Sequence, residues 1–373
     1  MMSERRITVA TTTLAAITAG GLLLAILWQL RGLLVVLAIA IVIAATLAPT
    51  VQQVERWGLP RWLAVVLVYL GFIATLTGLG LLIGPTVFEQ IQRLARKLPG
   101  FLEVLSGLAQ DGVVRFGLRD PQVLEQVNQF FNVQALTAWA FRTSQELIVR
   151  SYGLSRGIII GALSLILALL LSGYMLAGSE KLVRGLVSLF PTGWEARLEQ
   201  QVQPMARRMG GYIQGRILVS TLLAVGTSIG LRLLGLKEYA LGLGAIAGVT
   251  NLIPFFGPVL GAIPALLVAI AQGGWLFLWV FLLFLIVQNL ETYVLDPLLV
   301  GSSVQVPPLY QLLAVLGGAQ LLGILGALIV PPWIAGGSVL LENLYLQPKA
   351  ERARQAEQLT VVSPPLPAES LKS

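Results

Sequence analysis

The sequence contains no cysteine and no histidine among its 373 residues. The absence of cysteine excludes disulfides, iron–sulfur clusters, thiolate zinc sites and cysteine nucleophiles. The absence of histidine removes the commonest general base and the commonest metal ligand. We therefore expect neither a resident metal nor a cofactor.

Carboxylates that could catalyse a reaction inside a membrane are also scarce. Aspartate occurs only at Asp111, Asp120 and Asp296, and only Asp296 lies close to a hydrophobic run. Aspartyl catalysis needs two aspartates in one site, and such a pair is not expected within the membrane here. No lysine follows a glycine, which excludes the Gly-Lys of a P-loop. The sequence predicts a protein that is not an enzyme.

Charged residues make up only 12% of the chain, against about 25% in ordinary soluble domains. Hydrophobic residues make up 56%, which is more than one soluble core can bury. The formal net charge of +7 comes from lysines and arginines that lie between hydrophobic runs, where such residues orient a membrane protein. No basic stripe with interleaved aromatics is present, so we expect a multi-pass membrane protein that does not bind nucleic acid.

The hydrophobic runs predict the membrane-spanning helices, since a span needs about 20 mainly apolar residues. Arg5 and Arg6 place the N-terminus on the cytoplasmic side, and Arg56 and Arg61 place the loop 49–61 between the second and third spans there too. A further stretch, 238–271, is apolar but interrupted. The predicted spans are 7–28, 33–48, 62–83, 157–178, 216–234, 275–295 and 310–335.

Composition divides the chain into four parts. An N-terminal three-span region, 1–83, precedes a hydrophilic insert, 84–156, in which apolar residues recur at helical spacing until Pro99-Gly100 is predicted to break the helix. We expect a small helical extramembrane insert on the side opposite the N-terminus. The C-terminal transport block, 157–340, contains amphipathic interfacial helices in 179–215. The proline-containing tail, 341–373, is predicted to be disordered.

The most unusual segment has three prolines within eleven hydrophobic residues. Each proline removes a backbone donor and frees a carbonyl, which lipid cannot satisfy. Broken helices of this kind form substrate sites in transporters, whereas glycines four residues apart also suit tight helix packing. The sequence leaves open one kinked helix or a re-entrant hairpin. We predict a transport-pathway role for Asn251, Pro254, Gly257, Pro258, Gly261 and Pro264.

A second segment places polar groups near the end of a span. Gln288, Thr292 and Asp296 are spaced to share a helix face, and Glu291 borders that face. A carboxylate within a membrane costs about 2.5–3.5 kcal/mol on insertion scales, so such residues usually mark ion or substrate paths. We predict that all four contribute to the pathway; the alternative is an interfacial carboxylate that caps the span.

These segments resemble the autoinducer-2 exporter family of bacterial permeases. The resemblance covers roughly 7–340 and is specific in the C-terminal half. After the stretch 211–215 many members have glutamine, where this chain has Arg216, a fixed charge near the mouth of the fifth span whose simplest role is that of a positive-inside anchor. The matching pieces are Gly211-Tyr-Ile-Gln-Gly215, Asn251-Leu-Ile-Pro-Phe-Phe-Gly-Pro258, Gln288-Asn-Leu-Glu-Thr-Tyr-Val-Leu-Asp-Pro297 with Gly301, and Gly317-Gly318 with Gly323, Gly326 and Pro331.

The resemblance implies an all-α polytopic fold of about eight transmembrane helices in the bacterial inner membrane. It implies export of a small polar metabolite or signal such as autoinducer-2. The alternative is exchange of sodium or lithium for protons, in which Glu291 carries the ion or proton. An alternative from a different class is a non-transporting scaffold that holds partners through the insert. Glycine-rich C-terminal faces allow homo-oligomerisation and internal packing equally.

Overall fold

The computed structural model describes residues 2–115, 151–301 and 307–362, and in these ranges it contains helices and turns but no strand. This confirms the predicted all-α fold. The helices are α1 Met2–Gln29, α2 Arg31–Glu55, α3 Arg61–Arg115, α4 Ser151–Ala177, α5 Ser179–Val187, α6 Glu195–Leu233, α7 Ala240–Asn251, α8 Phe256–Gln272, α9 Leu276–Leu290, a π-helical segment Glu291–Val300, α10 Pro308–Leu322, α11 Ile324–Leu341, a π-helical turn Glu342–Leu346 and α12 Gln347–Val362.

Five of the described helices are long and apolar enough to cross a membrane. A sixth crossing results if α4 and α5, which meet at an angle of 86°, form one broken span. Many large hydrophobic side chains on these helices are exposed, as expected of surfaces that face lipid. The multi-pass prediction is therefore confirmed, whereas the number eight is not.

Two extramembrane predictions differ from the structure. α3 continues through Pro99 to Arg115, so the predicted helix break at Pro99-Gly100 is wrong. A proline removes one hydrogen bond and can bend a helix without ending it, and water can hydrate the freed carbonyl outside the membrane. Of the remaining insert residues, 116–150 lie outside the described residues and 151–156 form the start of α4. The four-part division of the chain stays a prediction.

The predicted disordered tail is helical over its first part. α12 extends to Val362, and its sequence is rich in alanine, glutamate, arginine and glutamine, which are strong helix formers. The prediction of disorder is thus wrong for 347–362, because propensity outweighs polarity there. Residues 363–373 lie outside the described residues.

The interrupted apolar stretch forms a helical hairpin. α7 and α8 are joined by a turn in which Phe255 has a positive φ of 67°. Gly257 on α8 contacts the backbone of Thr250 on α7, and a Cβ on Gly261 would lie 2.7 Å from the Ala247 Cα. Because these contacts pair positions on either side of the turn, the two arms are antiparallel. Of the two alternatives, the structure therefore has a hairpin, which we call the first hairpin.

A second hairpin replaces the predicted span 310–335. α10 ends and α11 begins at Gly323, whose φ of 65° and ψ of −146° are accessible mainly to glycine. Gly318 and Gly326 then meet backbone to backbone, which a continuous helix could not allow. The prediction of one continuous span is wrong because a single glycine reverses the chain.

α6 is the central helix against which both hairpins pack. It begins at Glu195, so the predicted connector 179–215 and the fifth span are partly one helix of 39 residues. Gly210 contacts the Ala45 backbone of α2, and Gly336 of the second hairpin contacts Met209. On the first hairpin, a Cβ on Gly248 would lie 2.5 Å from the Ala224 Cβ. Close approach at glycines thus positions the elements that carry the polar groups described below.

Replacing Gly257 with alanine should destabilise the protein by about 1–3 kcal/mol, the usual cost of overpacking. The added methyl group would collide with the carbonyl of Thr250, which is backbone and cannot rotate away. Thermal unfolding of the purified variant measures the loss. Gly226→Ala on α6 is the control, because no described atom lies within 4 Å of its added Cβ. An equal unfolding midpoint for both variants would contradict the tight hairpin.

Candidate functional site

Three polar side chains from three separate elements meet inside the helical bundle. Arg216 of α6, Asn251 at the end of α7 and Glu291 at the start of the π-helical segment are each at most 5% exposed. One terminal nitrogen of Arg216 donates to Glu291 Oε1 at 3.0 Å, and the other donates to Asn251 Oδ1 at 3.3 Å. Asn251 Nδ2 donates to the same Glu291 oxygen at 3.0 Å. Each member contacts the other two, and we call this group the buried triad.

Local backbone features bring the three residues together. A Cβ on Gly215 would lie 2.5 Å from the Leu299 carbonyl oxygen, so this glycine lets α6 approach the π-helical segment closely. Asn251 is the last residue of α7, directly before the turn that contains Pro254. The first hairpin therefore inserts its tip beside Arg216. The contact requires a small residue at position 215 and a chain reversal after Asn251.

The π-helical segment adds a second carboxylate to the site. Asp296 Oδ1 lies 3.6 Å from the terminal nitrogen of Arg216 that binds Glu291. In an α-helix, residues five apart point about 140° away from each other. The π-helix hydrogen-bonds over five residues, as between Gly301 N and Asp296 O at 2.7 Å, and brings such positions to one side. Glu291 and Asp296 therefore face the same guanidinium.

Several buried polar atoms near the triad have no hydrogen-bond partner within the described residues. These include Arg216 Nε and Asp296 Oδ1, together with the hydroxyls of Ser220 and Thr227 further along α6. Buried polar groups are normally satisfied by protein, ordered water or a ligand. One guanidinium, two carboxylates and an amide can bind a polar solute through several hydrogen bonds. The described residues contain no group of three acidic side chains arranged to hold a metal ion.

The structure brings together some of the predicted pathway residues and separates others. Asn251, Glu291 and Asp296 belong to one site, and the side chain of Asp296 remains 41% exposed. Gln288 donates to Thr292 at 3.3 Å on an outer part of the helix. This bond shows that Gln288 and Thr292 share a helix face, and a pathway role for these two residues stays a prediction.

The proline and glycine positions of the first hairpin have a packing role in the structure. Pro254, Gly257 and Gly261 are buried, and Pro258 and Pro264 are half-buried on α8. Their contacts fix the hairpin tip that carries Asn251. A direct pathway role for these five residues stays a prediction.

Sequence reasoning missed Arg216 as a member of the site. The interpretation as a cytoplasmic anchor is wrong, because the side chain is buried and paired with Glu291. A signal was present in the sequence. Glu291 and Asp296 lie at the end of an apolar run, where a buried carboxylate needs a cation to compensate its charge. Arg216 supplies a cation at a position where the resembling family commonly has glutamine.

Comparison with known proteins gives consistent matches over most of the chain. The family model described as AI-2E family transporter matches residues 17–345. YrrI of Bacillus subtilis (strain 168), which bears the name of a transport protein, is 29% identical over 327 residues, 84% of this chain and 86% of that protein. PerM of Escherichia coli (strain K12), which bears the name of a permease, is 27% identical over 310 residues, 82% and 86% of the two chains. Neither name states a substrate.

Proposed function

The chain belongs to the AI-2E transporter family, and on this premise we propose that it exports a small polar metabolite or signal, such as autoinducer-2, across the bacterial inner membrane. The observation that carries the proposal is the buried triad. Burying a guanidinium, a carboxylate and an amide within a membrane protein costs free energy, and such residues usually mark the path of a solute.

The first hairpin supports a role for this site in transport. α7 has 12 residues and is about 18 Å long, so it reaches only part of the way through a hydrocarbon core of about 30 Å. With the start of α7 at a membrane surface, Asn251 at its end would lie within the hydrocarbon core. Broken and re-entrant helices occur within a membrane only where they face protein or a water-filled cavity. The substrate sites of many transporters are formed by helices of this kind.

We infer that the solute binds where polar atoms lack partners. Arg216 Nε offers a donor and Asp296 Oδ1 offers an acceptor, and both are buried beside the triad. The solute would exchange its hydration for these groups, and movement of the first hairpin against α6 would expose the site to one side at a time. No change in protonation is required for an uncharged solute.

Replacing Asn251 with leucine should lower the initial rate of autoinducer-2 export by about tenfold or more, since a hydrogen bond to a charged group contributes about 1.5–3 kcal/mol. Export is measured as uptake into everted membrane vesicles at matched protein levels. Asn289→Leu is the control, because Asn289 is exposed and donates only to Leu285 O within the described structure. Equal rates for both variants, or no uptake by the wild type for a panel of small polar solutes, would contradict the proposal.

Exchange of sodium or lithium for protons is a second candidate. The observation that favours it is Asp296, a half-exposed carboxylate with one buried oxygen that accepts no hydrogen bond from the described residues. Such a group can take up a proton or a monovalent cation.

Sodium-dependent proton flux in proteoliposomes distinguishes the two candidates. For an exchanger, we expect flux in the wild type that is lost in both Glu291→Gln and Asp296→Asn. For an uncoupled exporter, Glu291→Gln should retain export of the polar solute. Flux that persists in both carboxylate variants would exclude these residues from coupling.

A further inference from the structure

A large cavity lies between α2 and the N-terminal half of α6. Its volume is about 920 Å³, which is in the range of small-molecule binding sites. The end of α4 and all of α5 line a third side, and Trp333 of α11 completes the wall. Met209 lines the cavity, and Arg216 follows seven residues later on α6, about 10 Å along the helix. The cavity is therefore separate from the buried triad.

The walls of this cavity are mostly apolar. A surface of this kind favours an aliphatic chain over a hydrated polar solute, because apolar groups gain free energy by leaving water. The apolar lining includes Ile41, Val51, Leu176, Leu186, Val187 and Trp333.

The bend of 86° between α4 and α5 is the geometry expected where a membrane span meets an interfacial helix. Arg61 holds this bend by donating from Nε to the Leu176 carbonyl at 3.0 Å and from a terminal nitrogen to Ser179 Oγ at 2.7 Å. α5 is amphipathic: its Glu180–Arg184 pair is exposed at the edge of the cavity, and its Val187 is buried. An amphipathic helix at nearly a right angle to a span lies along the membrane interface.

A smaller pocket of about 300 Å³ adjoins the cavity and is basic. It contains Arg56 and Arg207, neither of which forms an ion pair with any described residue. Guanidinium groups bind phosphate through paired N–H donors, and amide side chains can add further hydrogen bonds. Both pockets are lined by Ala45, Ala48, Gln52, Gln203 and Ala206, so they share a wall where α2 meets α6, and Gln52 and Gln203 on this wall are exposed.

We propose that the two adjoining pockets bind one anionic phospholipid per chain, which passes over the exposed Gln52 and Gln203 of their shared wall. Its phosphate contacts Arg56 and Arg207, and an acyl chain fills the apolar cavity beneath α5. Charge complementarity at one end and apolar walls at the other identify an anionic amphiphile rather than a soluble anion. Lipid binding at this site does not involve the transported solute. A failure of the lipid test would therefore leave the proposed export untouched, and the reverse also holds.

Native mass spectrometry of the full-length protein tests this site. The protein is exchanged into detergent and supplied with phosphatidylglycerol or phosphatidylcholine in equal amounts. We expect one retained phosphatidylglycerol per chain and much less phosphatidylcholine. Arg56→Gln with Arg207→Gln should lower the binding constant for phosphatidylglycerol by about 30-fold, since each basic residue near an anionic lipid contributes a factor of about five.

Two further variants separate the head group from the acyl chain. Arg197→Gln should leave retention unchanged, because Arg197 is exposed on α6 and does not line either pocket. Val183→Trp places a large side chain inside the cavity and should lower retention while both arginines remain. Thermal unfolding of each variant checks that it is folded.

Four outcomes would overturn the proposal. These are equal retention of the two lipids, unchanged retention in the double arginine variant, displacement of the lipid by millimolar inorganic phosphate, and a chain oligomer that retains no lipid. Displacement by phosphate would identify a soluble-anion site, and the lipid-free oligomer would identify a second copy of the chain as the occupant.

Discussion

Replacing Arg216 with methionine should destabilise the folded protein by about 3–5 kcal/mol, the usual cost of removing one partner from a buried ion pair. The variant would leave Glu291 buried without its cation and would leave Asn251 Oδ1 without its donor. It would also leave two carboxylates facing each other. The loss is measured as the shift in the unfolding midpoint of the purified protein in a denaturing detergent titration.

The order of effects within the site gives a sharper test. Glu291→Gln should lower the free energy of unfolding by less than Arg216→Met does. Asp296 remains 3.6 Å from the guanidinium and still compensates its positive charge. The double variant Arg216→Met/Glu291→Gln should recover part of the loss, since neither charge is then left alone. Arg232→Met is the control, because Arg232 is exposed near the end of the same helix. Additive effects of the two single changes would show that Arg216 and Glu291 are not coupled.

Linking the first hairpin to α3 with a disulfide should lower solute export by about tenfold or more if the hairpin moves as transport proceeds. A Cβ on Gly242 would lie 2.9 Å from the Gln90 Cβ, and disulfides have a mean Cβ–Cβ distance of about 3.8 Å. Gln90→Cys with Gly242→Cys can therefore form the bond after a small separation of the helices. The chain has no native cysteine, so no other disulfide competes.

Oxidation and reduction of the same sample give the comparison. Export should fall when the pair is oxidised and return when it is reduced. The single variant Gln90→Cys is the control for loss of the hydrogen bond from Gly242 N to Gln90 Oε1, which is 2.8 Å long. The single variant Gly242→Cys is the control for crowding by the added side chain against Gln90. Unchanged export in a fully oxidised sample would mean that this end of the hairpin stays fixed against α3.

Helix content could be predicted from the sequence, but chain reversals within apolar segments could not. Hydropathy is the same for a hairpin and for a continuous span, so 310–335 was predicted as one helix. The difference lies in Gly323 alone, whose positive φ turns the chain back. In the first hairpin, Pro254 signalled a break, yet only the contact of Gly257 with Thr250 distinguishes a reversal from a kink.

The candidate site was predictable in part. Asn251, Glu291 and Asp296 were selected because polar groups are costly within apolar segments. The convergence of Glu291 and Asp296 depends on the π-helical register, for which α-helical spacing gives the wrong geometry. The partnership with Arg216 depends on tertiary contact between helices 75 residues apart in sequence.

The unequal charges around Arg216 have an electrical consequence. One guanidinium opposes the two carboxylates of Glu291 and Asp296, so a single negative charge remains when both are ionised. Moving one elementary charge through a membrane potential of 100 mV changes its free energy by about 2.3 kcal/mol. A transport step that shifts this cluster through part of the bilayer is therefore sensitive to voltage. In a cell whose interior is negative, the field favours the position of the cluster nearer the outside.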